Sequence, residues 1–316
     1  MHPRNRVLKL IARPMLTFFT TAKPFVGHSG VIQRNALRSW KLLHPDVEVI
    51  LFGNEDGVAE TCAELGLRHE PHVERHESGM KYLNYMFERA QKIATHPFLC
   101  YSNCDIVLLD DFWRAFETVS NEHPSFLMIS QRWDTDIVKP LPFGDPLWQQ
   151  SIRNFSRVSG TQQIPHFVDY FVFSKGLYDQ VPPLLIGRSF WDWWLVWKAL
   201  SRRAAVVDCT PFITAIHQNH GHGYHPKGKE GTNEDELAKR NVALAGNGKH
   251  LRYILDSNYQ MDAQGKIHRV FFRRQYFEWK IAYKIQTLIN ITYPLRRLLG
   301  LRRAKLEAAA DHKTRP

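Results

Sequence analysis

Short apolar runs alternate with amphipathic stretches through the first two thirds of the chain, and this alternation sets the fold class. Residues 15–20 form an apolar, β-rich run that opens into the turn-like segment 21–27. Residues 29–43 then carry Val31, Ile32, Ala36, Trp40 and Leu43 at helical spacing, closed by His44 and Pro45. A second strand is predicted over 47–52, with a turn at 53–57 bounded by glycines. A short helix over 58–65 ends at Gly66, and residues 67–70 supply a third strand.

After a polar connector at 72–78, residues 80–94 place Leu83, Met86, Ala90 and Ile93 on one helical face. Residues 98–101 read as a buried strand running into the polar step Asn103, Cys104 and Asp105. Asp110 and Asp111 then open a helix continuing over 112–120, followed by a strand over 126–130. The order βαβα(β)αβαβ predicts a three-layer α/β/α domain, Rossmann-like, with a mostly parallel mixed central sheet.

The rhythm breaks over 132–166, where four prolines and two glycines predict long loops with one helix. A strand over 167–173, a tryptophan-rich helix over 190–200, strands over 205–209 and 212–217, and a helix over 234–245 follow. Residues 270–305 interleave aromatic and aliphatic side chains with Arg and Lys, predicting two amphipathic helices hinged near Pro294.

Composition sharpens this picture in three ways. At 316 residues and 44% hydrophobic content, the chain can bury a large core. No apolar run approaches ~20 residues, so no bilayer-spanning helix is expected; Arg13 and Pro14 interrupt the N-terminal apolar stretch, which argues against a secretory signal. The four cysteines lie in apolar surroundings without framework spacing, as reduced core cysteines of a cytoplasmic protein do.

The charge is concentrated at one end. Residues 266–316 hold 13 Lys/Arg against 3 Asp/Glu, a net of +10 out of a whole-chain +11. We therefore divide the chain into a nearly neutral domain, 1–265, and a basic amphipathic tail, 266–316. Residues 268–305 suit an anionic membrane surface, as on the inner face of a membrane; packing on the domain with a solvated basic face explains them equally. Nucleic acid ranks third, because no recognition module accompanies the charge.

Several groups can carry chemistry. Asp105, at the carboxyl end of a central strand, can hold a divalent cation against a diphosphate, with Asn103 bonding a ribose or the cation's water. Helix capping explains the same two residues. A literal Asp-x-Asp at Asp134 and Asp136 competes for the cation, although turn formation accounts for it. Ile216 precedes His217, His220, His222 and His225, four imidazoles within nine residues after a strand. His217, at the strand end, is the candidate metal ligand; His222 and His225 read as members of a glycine-rich surface loop. A zinc set using Cys100 and Cys104 is disfavoured because Cys100 should point into the core.

Asp192, in the first turn of the aromatic helix, can deprotonate an acceptor hydroxyl while Trp191 stacks on a sugar face; capping and packing are the alternatives. Asp169, an acid in an apolar run, can bind acceptor hydroxyls or pair with Arg188. Thr20, Thr21 and Lys23, at the end of the first strand, can contact base and diphosphate.

The segments Thr-Thr-Ala-Lys-Pro-Phe (20–25), Tyr-Ser-Asn-Cys-Asp-Ile-Val-Leu (101–108), Asp-Tyr-Phe-Val-Phe (169–173), Gly-Arg-Ser-Phe-Trp-Asp-Trp-Trp-Leu (187–195) and Ala-Ile-His-Gln-Asn-His (215–220) together resemble the nucleotide-diphospho-sugar glycosyltransferases of the GT-A fold. The resemblance spans about residues 15–225 and lies in order and context. It implies a sugar-nucleotide donor, Mn2+ or Mg2+, and a glycan, lipid-linked or small-molecule acceptor. It also implies that Asn103 to Asp105 binds metal and donor, that His217 completes coordination, and that Asp192 is the base of an inverting member. Asn103 departs from the pattern, which has an acid there. The same fold without turnover, as a carbohydrate- or nucleotide-binding protein, and a His/Asp metallohydrolase are the alternatives.

Overall fold

The computed structural model describes residues 15–221 and 235–271. The chain begins with β1 (Leu16–Thr21), α1 (Gly27–Lys41), β2 (Glu48–Phe52), α2 (Val58–Leu65) and β3 (Arg68–Glu70). It continues through α3 (Leu83–Ile93), β4 (Phe98–Ser102), β5 (Ile106–Val107), α4 (Asp110–Glu122) and β6 (Phe126–Ile129). Then come β7 (Arg132–Thr135), α5 (Trp148–Ser159), β8 (Thr161–Gln162), β9 (Tyr170–Ser174) and α6 (Trp191–Ser201). The remaining elements are β10 (Ala205–Asp208), β11 (Ala215–Gln218), α7 (Glu236–Leu244), β12 (Tyr259–Met261) and β13 (Ile267–Arg269).

Nine strands form the main sheet in the order β13-β12-β10-β6-β9-β4-β1-β2-β3. The strands from β4 to β3 are parallel, as are β6, β10 and β12, while β9 runs antiparallel to both β4 and β6. The chain winds outward from β1 to β3, then returns to lay β4 on the other side of β1. Right-handed crossovers require the helices of the two directions to lie on opposite faces. They do: Leu37, Trp40 and Cys62 of α1 and α2 pack on one face with Leu16 and Phe18, whereas Met86 and Phe87 of α3 pack on the other with Phe19. The three-layer architecture expected from the sequence is present.

A second sheet, β5-β11-β7-β8, sits beyond the carboxyl end of β4. Its back is sealed by Trp148 and Ile152 of α5 against Val107, Leu109 and Ile216. Two expectations are corrected here. The one helix expected over 132–166 is present as α5, but the segment also holds β7 and β8, because its apolar positions cover this small sheet rather than the large one. β11 does not join the main sheet, since it pairs with β5 and β7.

The hairpin of β12 and β13 was not legible from periodicity, and it carries the main sheet past residue 265 to Arg269. All four cysteines are buried and free. Among the described residues no helix is long and apolar enough to cross a membrane. The expected tail helices beyond residue 271, and His222 and His225, lie outside the described residues.

Candidate active site

The reversal of winding between β1 and β4 makes a topological switch point, where open α/β sheets leave a crevice for ligands. A cleft of about 510 Å³ opens there. Thr20 joins the two strand ends beneath it, its buried hydroxyl donating to the carbonyl of Ser102 at 2.5 Å. Thr20 therefore holds the scaffold and does not line the cleft. Thr21, Lys23, Asn103, Asp105, Asp169, Trp191 and His217 all line it, together with His220.

Asp105 follows β4 and directly precedes β5. Its Oδ2 lies 3.0 Å from Nε2 of His220 and 3.9 Å from Nε2 of His217. The three side chains offer donor atoms that all lie within 4.8 Å of one another. Asp105 Oδ1 is buried and has no hydrogen-bond partner. Burial pushes the Asp105 carboxyl up, but His217, the hydrogen bond to His220 and the charge of Arg132 outweigh it and hold the acid well below the usual range. An orphaned carboxylate oxygen beside two imidazoles is a donor set that fits a divalent transition cation.

Asp134, the rival for that cation, lies in β7 rather than in a turn, opposite His217 in the ladder. Its Oδ1 is 3.1 Å from Nδ1 of His217, close enough for a hydrogen bond but off the N–H direction. Arg132 reaches Asp134 at 2.8 Å through Nε and Asp169 at 2.7 Å through Nη1. Asn103 Nδ2 donates to the other oxygen of Asp169 at 2.7 Å. Asp169 thus pairs with Arg132 and Asn103, not with Arg188. Arg188 is buried elsewhere, with Asp235 at 2.6 Å, and does not line the cleft. Asn103, committed to Asp169, holds the cleft's acid in place.

On the β1–β2 side, Lys81 is buried with Nζ 2.6 Å from Glu55, and it also donates to Thr21 Oγ1 and to the carbonyl of Ala22. Arg75 reaches the same Glu55 at 2.8 Å. Gly53 makes this meeting feasible: its φ is +113°, and a Cβ there would collide with Glu55. Burial lowers Lys81 despite the pairing with Glu55, and it lowers Lys23 despite the charge of Asp105.

Asp192 stands in the first turn of α6, after Phe190, whose φ of +81° is a strained conformation for a non-glycine residue. Asp192 keeps a little solvent contact but is densely surrounded by protein. Desolvation, helped by the charge of Asp169, pushes its carboxyl up to about 7 against the backbone N–H groups of the helix start. Asp192 itself does not line the cleft, although the preceding Trp191 does.

Sequence reasoning gave His220 and Arg132 no individual role and placed Lys81 in a helix. For His220 a signal existed: it follows the strand-end His217 by three residues, within reach of the same carboxylate. For Lys81 there was none, because its role comes from a bridge between Arg75 and Lys81 that periodicity does not reveal.

No family model matches the chain, and no curated protein does. Among solved structures it is similar to mannosyltransferase PcManGT from Pyrobaculum calidifontis in complex with GDP-Man and Mn2+, at 12% identity and a TM-score of 0.43, over 68% of this chain and 60% of that one. It is similar to S. aureus TarS 1-349 in complex with UDP-GlcNAc, at 12% identity and 0.43, over 65% and 59%. It is also similar to GalNAc-T7 with UDP, GalNAc and Mn2+, at 14% identity and 0.46, over 73% and 48%. The chain thus spans about half to three fifths of these proteins' lengths. Likeness this distant transfers no chemistry, and the reading below rests on the cleft itself.

Proposed function

We propose that the protein is a glycosyltransferase that moves a sugar from a nucleotide-diphosphate donor to an acceptor hydroxyl. The observation that carries this is the meeting of Asp105 with His217 and His220 at the switch-point cleft, which Lys23 and Lys81 also line. Of the two cations the resemblance implies, Mn2+ suits this one-carboxylate, two-imidazole set better than Mg2+; held by those three side chains, it would supply the charge that a departing nucleoside diphosphate needs. Lys23 adds positive charge beside the same position. Asp169, fixed by Arg132 and Asn103, accepts hydrogen bonds from sugar hydroxyls. Trp191 and Tyr101 present ring faces and edges to the C–H side of a sugar. Asp192, which adjoins the cleft-lining Trp191 without lining the cleft itself, is the base we assign to an inverting reaction, and a pKa near neutrality is matched to that task.

The acceptor class we propose is a glycan, a lipid-linked or a small-molecule hydroxyl, with the protein in the cytoplasm and held at a membrane by its basic tail. Sedimentation of the full chain with anionic vesicles but not with neutral ones is the expected outcome; equal binding to both removes the membrane element.

Two rival readings have observations of their own. His220 adds a second imidazole to the acid, a set that metallohydrolases also use. Asn103 stands where a second acid would hold the cation and is tied to Asp169, as suits a binding protein without turnover. Nucleoside diphosphate release, followed with a donor panel, with and without acceptor and cation, separates the three. Release that needs the acceptor supports transfer, acceptor-independent release supports hydrolysis, and donor binding without release supports the third.

A further inference from the structure

We propose that Asp134 is a positioning residue that aims His217 at the cation, and that Arg132 anchors it for that purpose. The inference rests on the cation reading above and adds to it the part that sets the site's precision. The two ring nitrogens of His217 face two different carboxylates: Nε2 lies 3.9 Å from Asp105, and Nδ1 lies 3.1 Å from Asp134. An imidazole that gives one nitrogen to a cation must carry its proton on the other. A carboxylate at hydrogen-bond distance, although off the Nδ1–H direction here, favours the proton on that nitrogen and restrains the ring plane.

The placement is built into the backbone. Asp134 and His217 are direct partners in the parallel ladder of β7 and β11, so both side chains emerge on one face of the small sheet. Arg132, two residues earlier on the same strand, shares that face and binds Asp134 at 2.8 Å. Its other arm binds Asp169 at 2.7 Å, so one guanidinium clamps a carboxylate of β7 and one that directly precedes β9 of the main sheet. Asp134 is therefore not free to turn toward the cation as a ligand. The Asp-x-Asp of the sequence supplies a support, and its second acid, Asp136, is exposed and accepts from Asn219 at 2.8 Å.

A salt bridge that only stabilises the sheet would have the same distances, so the test must isolate the path through His217. Mn2+ binding to the full-length protein, followed by electron paramagnetic resonance, gives cation affinity without turnover. Asp134→Asn should weaken binding by roughly 10–100-fold, and Asp136→Asn should leave it unchanged. In a His217→Gln background, Asp134→Asn should add nothing, because the support acts through the missing ring. Independent losses that multiply, or an Asp134→Asn affinity within about twofold of wild type, overturn the proposal while leaving the cation site intact. Wild-type protein that binds no Mn2+ overturns both. Nitrogen NMR of His217 in the unsubstituted protein with Zn2+ does not depend on how the variants fold. A proton on Nδ1 with Nε2 bound to metal is expected, and the reverse tautomer refutes it.

Discussion

Ile106 lies opposite His217 in the antiparallel ladder of β5 and β11. The pairing explains why Asp105, one residue before Ile106, meets an imidazole 112 positions away in sequence. Asp105→Asn keeps the shape and removes the charge. It should lower cation-dependent diphosphate release by at least ~100-fold, with a melting temperature close to that of the parent. Turnover that survives the change, in a folded variant, would remove Asp105 from the cation site.

His220 sits two residues past the end of β11 and binds Asp105 Oδ2 at 3.0 Å. Replacing it by Gln should weaken Mn2+ binding about tenfold and raise the cation concentration needed for half-maximal rate. The saturating rate should change less. An unchanged titration midpoint would mean that His220 only pairs with Asp105.

Asp192 ties rate and stability to pH in opposite senses. Its carboxyl titrates at about 7 in the folded chain and near ~3.9 when unfolded, so between these values the native state binds the extra proton. Stability conferred by that proton is present at low pH and is lost as pH rises through 7, a difference of at most about 4 kcal/mol. Asp192→Asn should therefore melt higher than wild type at pH 8 and alike at pH 4. Wild-type kcat/KM should climb to a plateau above about pH 7, and the variant should lose that limb. A variant no more stable at pH 8 than at pH 4, relative to wild type, contradicts the assignment.

Buried Lys81 and partly buried Glu55 form an ion pair on the β1–β2 side of the cleft. Lys81→Met strands Glu55 with Arg75 alone and should cost about 3 kcal/mol in urea unfolding. The pair replacement Lys81→Met with Glu55→Leu should recover much of it, because no buried charge is left unmatched and Arg75, freed from Glu55, is exposed to water. A double variant as unstable as the single one would show that the cost lies in lost packing or in the Thr21 contact instead.

Much of this architecture was legible because burial leaves a period. The apolar face of α1, with Ala36, Leu37 and Trp40, and the run that became β4 are dictated by the sheet they cover. The strand-end acid at 105 and the strand-end histidine at 217 followed from the same logic. The small sheet was not legible, because β5, β7, β8 and β11 are two to four residues long and their pairing is set by tertiary register. That blindness explains the misreading of Asp134 as a turn residue and of Arg188 as a partner for Asp169. Arg188 lies 19 residues from Asp169 in sequence, yet its guanidinium goes to Asp235 on the N-terminal side of α7.

Because the pairing of β5 with β11 brings Asp105 to His217 and His220, the centre exists only while the small sheet is formed. Four strands of at most four residues, backed by one helix, are the weaker partner in that arrangement. Warming or mild denaturant should release them as a cooperative unit before the nine-stranded body melts. The protein should then fall silent while most of its circular dichroism persists, and cooling should bring catalysis back without a refolding lag.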